Sequence, residues 1–281
     1  MNAPADILYR PRGRFRSRQA GAHPSSEVGG FGVFRDQTPF LRHPDARRID
    51  IRATLRDPFG ATIVRRFEQR SPVDVYAIVD LSASMSCIGA SRKFDLARDI
   101  CAALAFSATR IGDRFGLLGC DDRVRPDVHT PATRSRAVAL RAADRLADAR
   151  RDGAGARGFV DAAAMLGASR RLALLISDFR WPASLIDRVF DSFAPHDTIP
   201  LVLVDSMEET PPEWGLAELT DAETNRRRVF VMRPRLRGQW IERERDRRAM
   251  IARLAANRVR PPIVLRDALD PVELSRRLTA A

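Results

Sequence analysis

Lysine is nearly missing from this chain of 281 residues: of 48 basic side chains, Lys93 is the one lysine and all others are arginine. Arginine usage on that scale can reflect coding composition, which weakens the formal charge of +12 as a sign of nucleic-acid binding. Cysteine is scarce too. Cys87, Cys101 and Cys120 lie far apart with no CxxC pair, which excludes a disulfide framework and fits reduced thiols in a cytosol. The four histidines (His23, His43, His129 and His196) show no HExxH or other ligand spacing. No apolar run approaches the roughly 18 residues that would span a bilayer. The opening MNAPADILYRPRGRFRSR has no apolar core and does not read as a secretory signal. No P-loop and no G-x-S-x-G elbow are present. These absences lead to the expectation of a soluble, cytoplasmic protein.

Hydrophobic residues make up 44% and charged residues 30%, a globular composition. The arginines are spread along the chain, with local concentrations at 10–18, 225–237 and 243–248. Residues 1–45, rich in Arg, Gly, Ser and Pro without a sustained period, are expected to be irregular. RRIDIRATLR then alternates, with Ile49, Ile51, Ala53 and Leu55 on one side. A DPFG turn signal and ATIVRRFEQ follow, so the pattern predicts an antiparallel β-ribbon.

From residue 73 the pattern changes. VDVYAIV, RLALLIS and IPLVLV are near-continuous apolar runs, as expected for strands buried on both faces of a parallel sheet. Amphipathic helical stretches fall at 91–110, 133–150, 159–169 and 183–193. A strand at 228–233, a long helix at 238–257, a last strand in PPIVLRD and a closing helix at 271–279 complete the chain. The expected fold is α/β: a doubly wound, mostly parallel sheet over 71–281, preceded by an irregular segment and β-ribbon over 1–70.

In such a sheet, ligands sit beyond the carboxyl ends of the strands. Two of those ends carry an aspartate, Asp80 after VYAIV and Asp178 after LALLIS, and Ser82 and Ser84 follow Asp80. Two carboxylates and two hydroxyls form a small all-oxygen set suited to Mg²⁺ or Mn²⁺. The plainer reading is a set of helix-capping residues at a strand-to-helix turn. Nucleophilic catalysis is disfavoured, because Ser82 has no evident histidine partner and an aspartyl phosphotransferase would want a second aspartate at its position.

The pattern Asp80-x-Ser82-x-Ser84, with apolar strands and LISDF ending in Asp178-Phe179, resembles a von Willebrand factor A-type domain with its metal-ion-dependent adhesion site. GRFRSRQAG, FGVFRD, ARRIDIRAT followed by IVRRFEQR, and LTDAETNR extend the likeness over nearly the whole chain. They resemble a bacterial family long described as a domain of unknown function, encoded beside MoxR-type AAA+ ATPases. One branch belongs to methanol-oxidation operons and is implicated in maturing a quinoprotein dehydrogenase. The resemblance implies Asp80, Ser82, Ser84 and Asp178 as metal ligands, with Asp161 matching a nearby family position. It also implies a non-catalytic module that binds a MoxR-type ATPase and a client presenting an Asp or Glu. Two departures stand out: the usual threonine is replaced by Val160, which has no oxygen, and Ile51 stands where relatives carry tryptophan. The rival readings are a basic nucleic-acid-binding protein and a metal-dependent hydrolase, for which no general base is evident.

Overall fold

The computed structural model describes residues 4–13, 15, 21–28, 34–87, 89–151, 153, 155–220 and 227–280. The chain forms two compact units, Gly13–Val73 and Met1–Arg12 together with Asp74–Ala281.

In the smaller unit, β1 (His23–Val28), β2 (Phe34–Pro39) and β3 (Ile63–Ser71) form an antiparallel sheet in the order β1-β3-β2, and α1 (Ile51–Arg56) lies between β2 and β3 in sequence. An antiparallel sheet is present as expected, and 63–71 is one of its strands. Its partners are different. They come from 23–39, the stretch expected to be irregular, whereas 51–56, expected as the partner strand, is helical. The cause is local. Asp50 accepts the Ala53 amide at 3.1 Å as an N-cap, and Arg, Ala and Leu are good helix formers. The apparent two-residue alternation also places Ile51 and Leu55 four apart, on one helix face.

The larger unit runs β4 (Asp74–Asp80), α2 (Lys93–Arg110), β5 (Arg114–Cys120), β6 (Val124–Thr133), α3 (Arg136–Arg145), α4 (Gly158–Met165), β7 (Leu172–Ser177), α5 (Ala183–Phe193) and β8 (Asp197–Val204). It continues with α6 (Ser206–Glu209), β9 (Gly215–Thr220), β10 (Arg227–Met232), α7 (Pro234–Ala255), β11 (Ile263–Arg266) and α8 (Pro271–Thr279). Six strands form one sheet in the order β11-β8-β7-β4-β5-β6, parallel except for β6 at the edge. β9 and β10 pair as a separate antiparallel ribbon. The fold class is therefore the expected one.

The apolar runs of β4, β7 and β8 are buried along their length because helices cover both faces. On one face Ile78, Leu118, Ala173, Leu175 and Val202 pack with Phe159 of α4, Phe190 of α5 and Ile251 of α7. α2 lies against β4, β5 and β8, beside α3. The residues before Gly13 are tied into this unit: the Ile7 amide donates to Ser107 Oγ at 2.8 Å, and the Tyr9 hydroxyl donates to Asp113 at 2.7 Å.

From β4 the chain moves outward to β5 and β6, then returns to the other side of β4 as β7. The strand order thus reverses between β4 and β7, the place where open α/β sheets form a crevice at their carboxyl edge. Among the described residues, no helix is long and apolar enough to cross a membrane.

Candidate metal centre at the strand ends

Asp80 is the last residue of β4 and is fully buried. Its Oδ1 accepts the Ser82 amide at 2.8 Å, which folds the following loop back over the strand tip. Its Oδ2 accepts the Ser177 hydroxyl at 2.5 Å and the Trp181 indole N–H at 3.1 Å. Asp80 therefore binds its own loop to the tip of β7. Backbone contacts of Ser82 and Ala83 with Gly153 fix the loop on its other flank.

The two serine hydroxyls meet as the sequence pattern suggests. Ser82 Oγ lies 3.1 Å from Ser84 Oγ, and Ser84 Oγ donates to Asp178 Oδ1 at 3.2 Å. Asp178, just beyond β7, also accepts the Arg180 amide at 3.2 Å. The next residue, Phe179, is buried at φ 50°, a left-handed conformation uncommon for a bulky side chain. It is fixed by the hydrogen bond its amide donates to Ser177 Oγ at 2.8 Å and by ring packing on Trp181, with centroids 4.9 Å apart. This turn aims the Asp178 carboxylate back at Ser84.

The second oxygen of Asp178 accepts Lys93 Nζ at 2.7 Å, and the same ammonium donates to Glu208 at 3.0 and 3.1 Å. Lys93 is only 1% exposed. Arg180 joins Glu208 at 3.2 Å to Glu244 at 3.0 Å, and Arg247 donates to the Asp178 carbonyl at 2.7 Å. Burial pushes the Asp178 carboxyl up, but Lys93 and Arg180 outweigh it and keep the group ionised, below the ordinary carboxylate value. Among the described residues, no lysine or arginine pairs with Asp80. Burial, then repulsion from Asp178, pushes its carboxyl up to about 6, and the hydrogen bonds from Ser177 and Ser82 offset only part of this.

Among the described residues no group of three or more His, Cys, Asp or Glu side chains could hold a metal ion, so a dication here would depend on the serine hydroxyls beside the two aspartates. Octahedral oxygens at about 2.1 Å from Mg²⁺ lie about 3.0 Å from their neighbours. The separations of 3.1 Å between Ser82 and Ser84 and 3.2 Å between Ser84 and Asp178 come close to that spacing. The raised Asp80 marks a buried carboxyl that lacks positive charge. Val160, partly buried on the first turn of α4, packs against the core and offers no donor. Asp161 is exposed, and among the described residues no hydrogen bond or ion pair joins it to Asp80, Ser82, Ser84 or Asp178.

The four residues picked from the sequence are thus brought together. Lys93, Glu208, Ser177, Trp181, Arg180 and Glu244 were not picked. One signal was available: a lone lysine, in a chain that otherwise uses arginine, twelve residues past the candidate loop's first leucine. Of the arginines at 243–248, Arg247 and Arg248 are engaged by acids. Arg247 pairs with Glu244 at 2.9 Å, and Arg248 pairs with Glu209.

Residues 41–250 match the family described as "Protein of unknown function DUF58". An uncharacterized protein of Mycobacterium tuberculosis is 28% identical over 233 residues, covering 80% of this chain and 72% of that protein. A Paracoccus denitrificans protein named "Uncharacterized protein in moxR 3'region" is 36% identical over 95 residues, 34% of this chain and 90% of its own length. Similar solved structures include BatB from Bacteroides thetaiotaomicron, at 16% identity and a TM-score of 0.44 over 73% of this chain and 95% of that one. A von Willebrand factor type A protein from Catenulispora acidiphila gives 15% and 0.38 over 77% of this chain and 43% of its own.

Proposed function

This chain belongs to the DUF58 family, and we propose that it serves as a non-catalytic, metal-dependent protein-interaction module that works with a MoxR-type AAA+ ATPase in the cytoplasm. The observation that carries this reading is the run of oxygens from Ser82 through Ser84 to Asp178 at the reversal point of the sheet. The ATPase enters through the Paracoccus relative, which is named for the moxR region.

In this reading, each residue has a task. Asp80 shapes the first loop from within, since its two oxygens bind the Ser82 amide, the Ser177 hydroxyl and the Trp181 indole. Ser82 and Ser84, neutral donors, leave the site short of negative charge, and Lys93 takes up part of the charge of Asp178. Mg²⁺ or Mn²⁺ would be held by Ser82, Ser84 and Asp178, with Asp80 behind them. When bound, it supplies residual positive charge that an aspartate or glutamate of a partner can meet. The loss of an oxygen at Val160 makes this a weaker site than a threonine would. In this proposal the pair acts on a third protein, which it matures, loads with metal or remodels, as a methanol dehydrogenase system would require.

The test is a pull-down of the neighbouring MoxR-type ATPase on the immobilised chain. Retention should vanish with EDTA, return with Mg²⁺, and be lost in Ser84→Ala. Retention indifferent to chelator and to Ser84→Ala would overturn the metal-dependent reading.

A further inference from the structure

The smaller unit carries a second feature, independent of the strand-end site. Four large apolar side chains there face solvent almost freely: Leu41 at 94% exposure, Phe59 at 90%, Leu55 at 80% and Ile51 at 69%. All are gathered at one end of β3. Phe40, next to Leu41, bonds through its amide to the Thr62 carbonyl at 2.7 Å, and the Asp50 amide bonds to the Ile63 carbonyl at 2.8 Å. Thr54 Oγ1 accepts the Ile63 amide at 2.9 Å, which docks α1 on the same strand start. The turn bearing Phe59 is closed by Asp57, which accepts the amides of Phe59 at 3.1 Å and Ala61 at 2.8 Å. Ile51 and Leu55, four residues apart, lie on one face of α1. Soluble proteins rarely leave such a cluster open unless something covers it.

The charges around it are one-sided. Each of the three local acids is used internally. Asp45 takes the Arg47 amide and pairs with Arg48 at 3.0 Å, Asp50 caps α1 and pairs with Arg65 at 2.7 Å, and Asp57 closes its turn. Arg42, Arg47, Arg52 and Arg56 are exposed, and among the described residues none of them has an acidic partner. Arg52 and Arg56 repeat the four-residue spacing beside Ile51 and Leu55. An apolar strip flanked by unpaired guanidinium groups is complementary to a strip of leucine-like side chains flanked by carboxylates. Arginine suits that role because its fork binds carboxylates in a bidentate way.

We propose that this end of the smaller unit, led by Ile51, Leu55 and Phe59 with Arg52 and Arg56, docks an acidic amphipathic helix of a partner protein. A lipid surface is the poorer fit. Interfacial membrane helices are longer than the six residues of α1 and derive their binding from a continuous apolar face. A protein helix needs only a few anchors and a charged rim.

The probe is a fluorescent 20-residue helical peptide with leucine along one face and glutamate along the other, titrated into the full chain by anisotropy. A peptide of the same composition in scrambled order is the control. The ordered peptide should bind and the scrambled one should not, and affinity should fall at least about tenfold in Leu55→Asp and in the pair Arg52→Glu with Arg56→Glu. The melting temperature should stay that of the wild type, because these side chains are exposed. Absence of binding, or binding that both variants leave intact, overturns the proposal. So does preferential capture of the chain by phosphatidylglycerol vesicles, or concentration-dependent self-association abolished by Leu55→Asp, which would assign the face to lipid or to a second copy.

Discussion

The two units handle charge in opposite ways. In the α/β unit, acids and bases turn inward at the strand ends, where Asp80, Asp178 and Lys93 are all buried and each carboxylate oxygen of the two aspartates has a donor. Around residues 41–57 of the smaller unit the acids are used up by caps, turns and ion pairs, and Arg42, Arg47, Arg52 and Arg56 are left facing water. A buried charge is held in place by the cost of leaving it unpaired, whereas an exposed one is held by almost nothing. The first arrangement therefore makes a fixed geometry, and the second an adaptable rim.

The sharpest way to break that contrast is to remove the buried cation. Lys93→Met leaves Asp178 and Glu208 without their ammonium, and breaking such a pair costs about 3 kcal/mol or more. Chemical denaturation should show that loss, and Mg²⁺ should recover more stability in the variant than in the wild type. Arg52→Met, by contrast, should leave stability within about 0.5 kcal/mol.

The next effect belongs to Ser84→Ala. It removes the hydroxyl that joins Ser82 to Asp178, on a side chain that is only partly buried. Dication affinity should fall about tenfold or more, equivalent to about 1.4 kcal/mol, with little change in melting temperature. Asp80→Ala is a poorer probe, because three hydrogen bonds converge on it, from the Ser82 amide of its own loop, from Ser177 at the tip of β7 and from Trp181 beyond it.

Why the strand-end site could be read from sequence, and the rest less well, follows from the physics of each element. Strands buried on two faces spell themselves as unbroken apolar runs, so β4, β7 and β8 and the aspartates at their ends were legible. β5 was not, because Gly116 and Gly119 interrupt its run. Those glycines answer to close packing: a Cβ at Gly116 would lie 2.4 Å from the Tyr76 ring, and one at Gly119 would lie 2.6 Å from Leu81. β6 carries Pro126 and Pro131, which an edge strand tolerates but which argue against a strand on paper. α1 was misread because a six-residue stretch satisfies two periods at once, and its deciding signal was the Asp50 cap. Lys93 could not be assigned, since its role depends on reaching Asp178, 85 residues further along.

A smaller gain is expected from Val160→Thr, which restores an oxygen to the first turn of α4. Mg²⁺ affinity should rise several-fold, in line with about 1 kcal/mol for one added polar contact. Unchanged affinity would mean that α4 stands too far from the ion to contribute.

The smallest effect is in the smaller unit. Hydrogen bonding from Arg65, then from the Ala53 amide, holds the Asp50 carboxyl at about 2, below its ordinary 3.8. A carboxyl lowered by folding stabilises the folded state above its unfolded value and loses that contribution as pH falls through its folded one. Protection of the Ala53 amide, relative to its intrinsic exchange rate, should therefore fall between about pH 4 and pH 2, ahead of protection in β4. Equal loss of protection in both places would show that the cap does not act locally.

Calorimetric titration of Mg²⁺, and then Mn²⁺, into the wild-type chain at neutral pH addresses the central claim most directly. The account predicts one ion bound per chain, with the heat abolished in Asp178→Asn and strongly reduced in Ser84→Ala. No binding of either ion to the wild type, or binding that both substitutions leave unchanged, would contradict it.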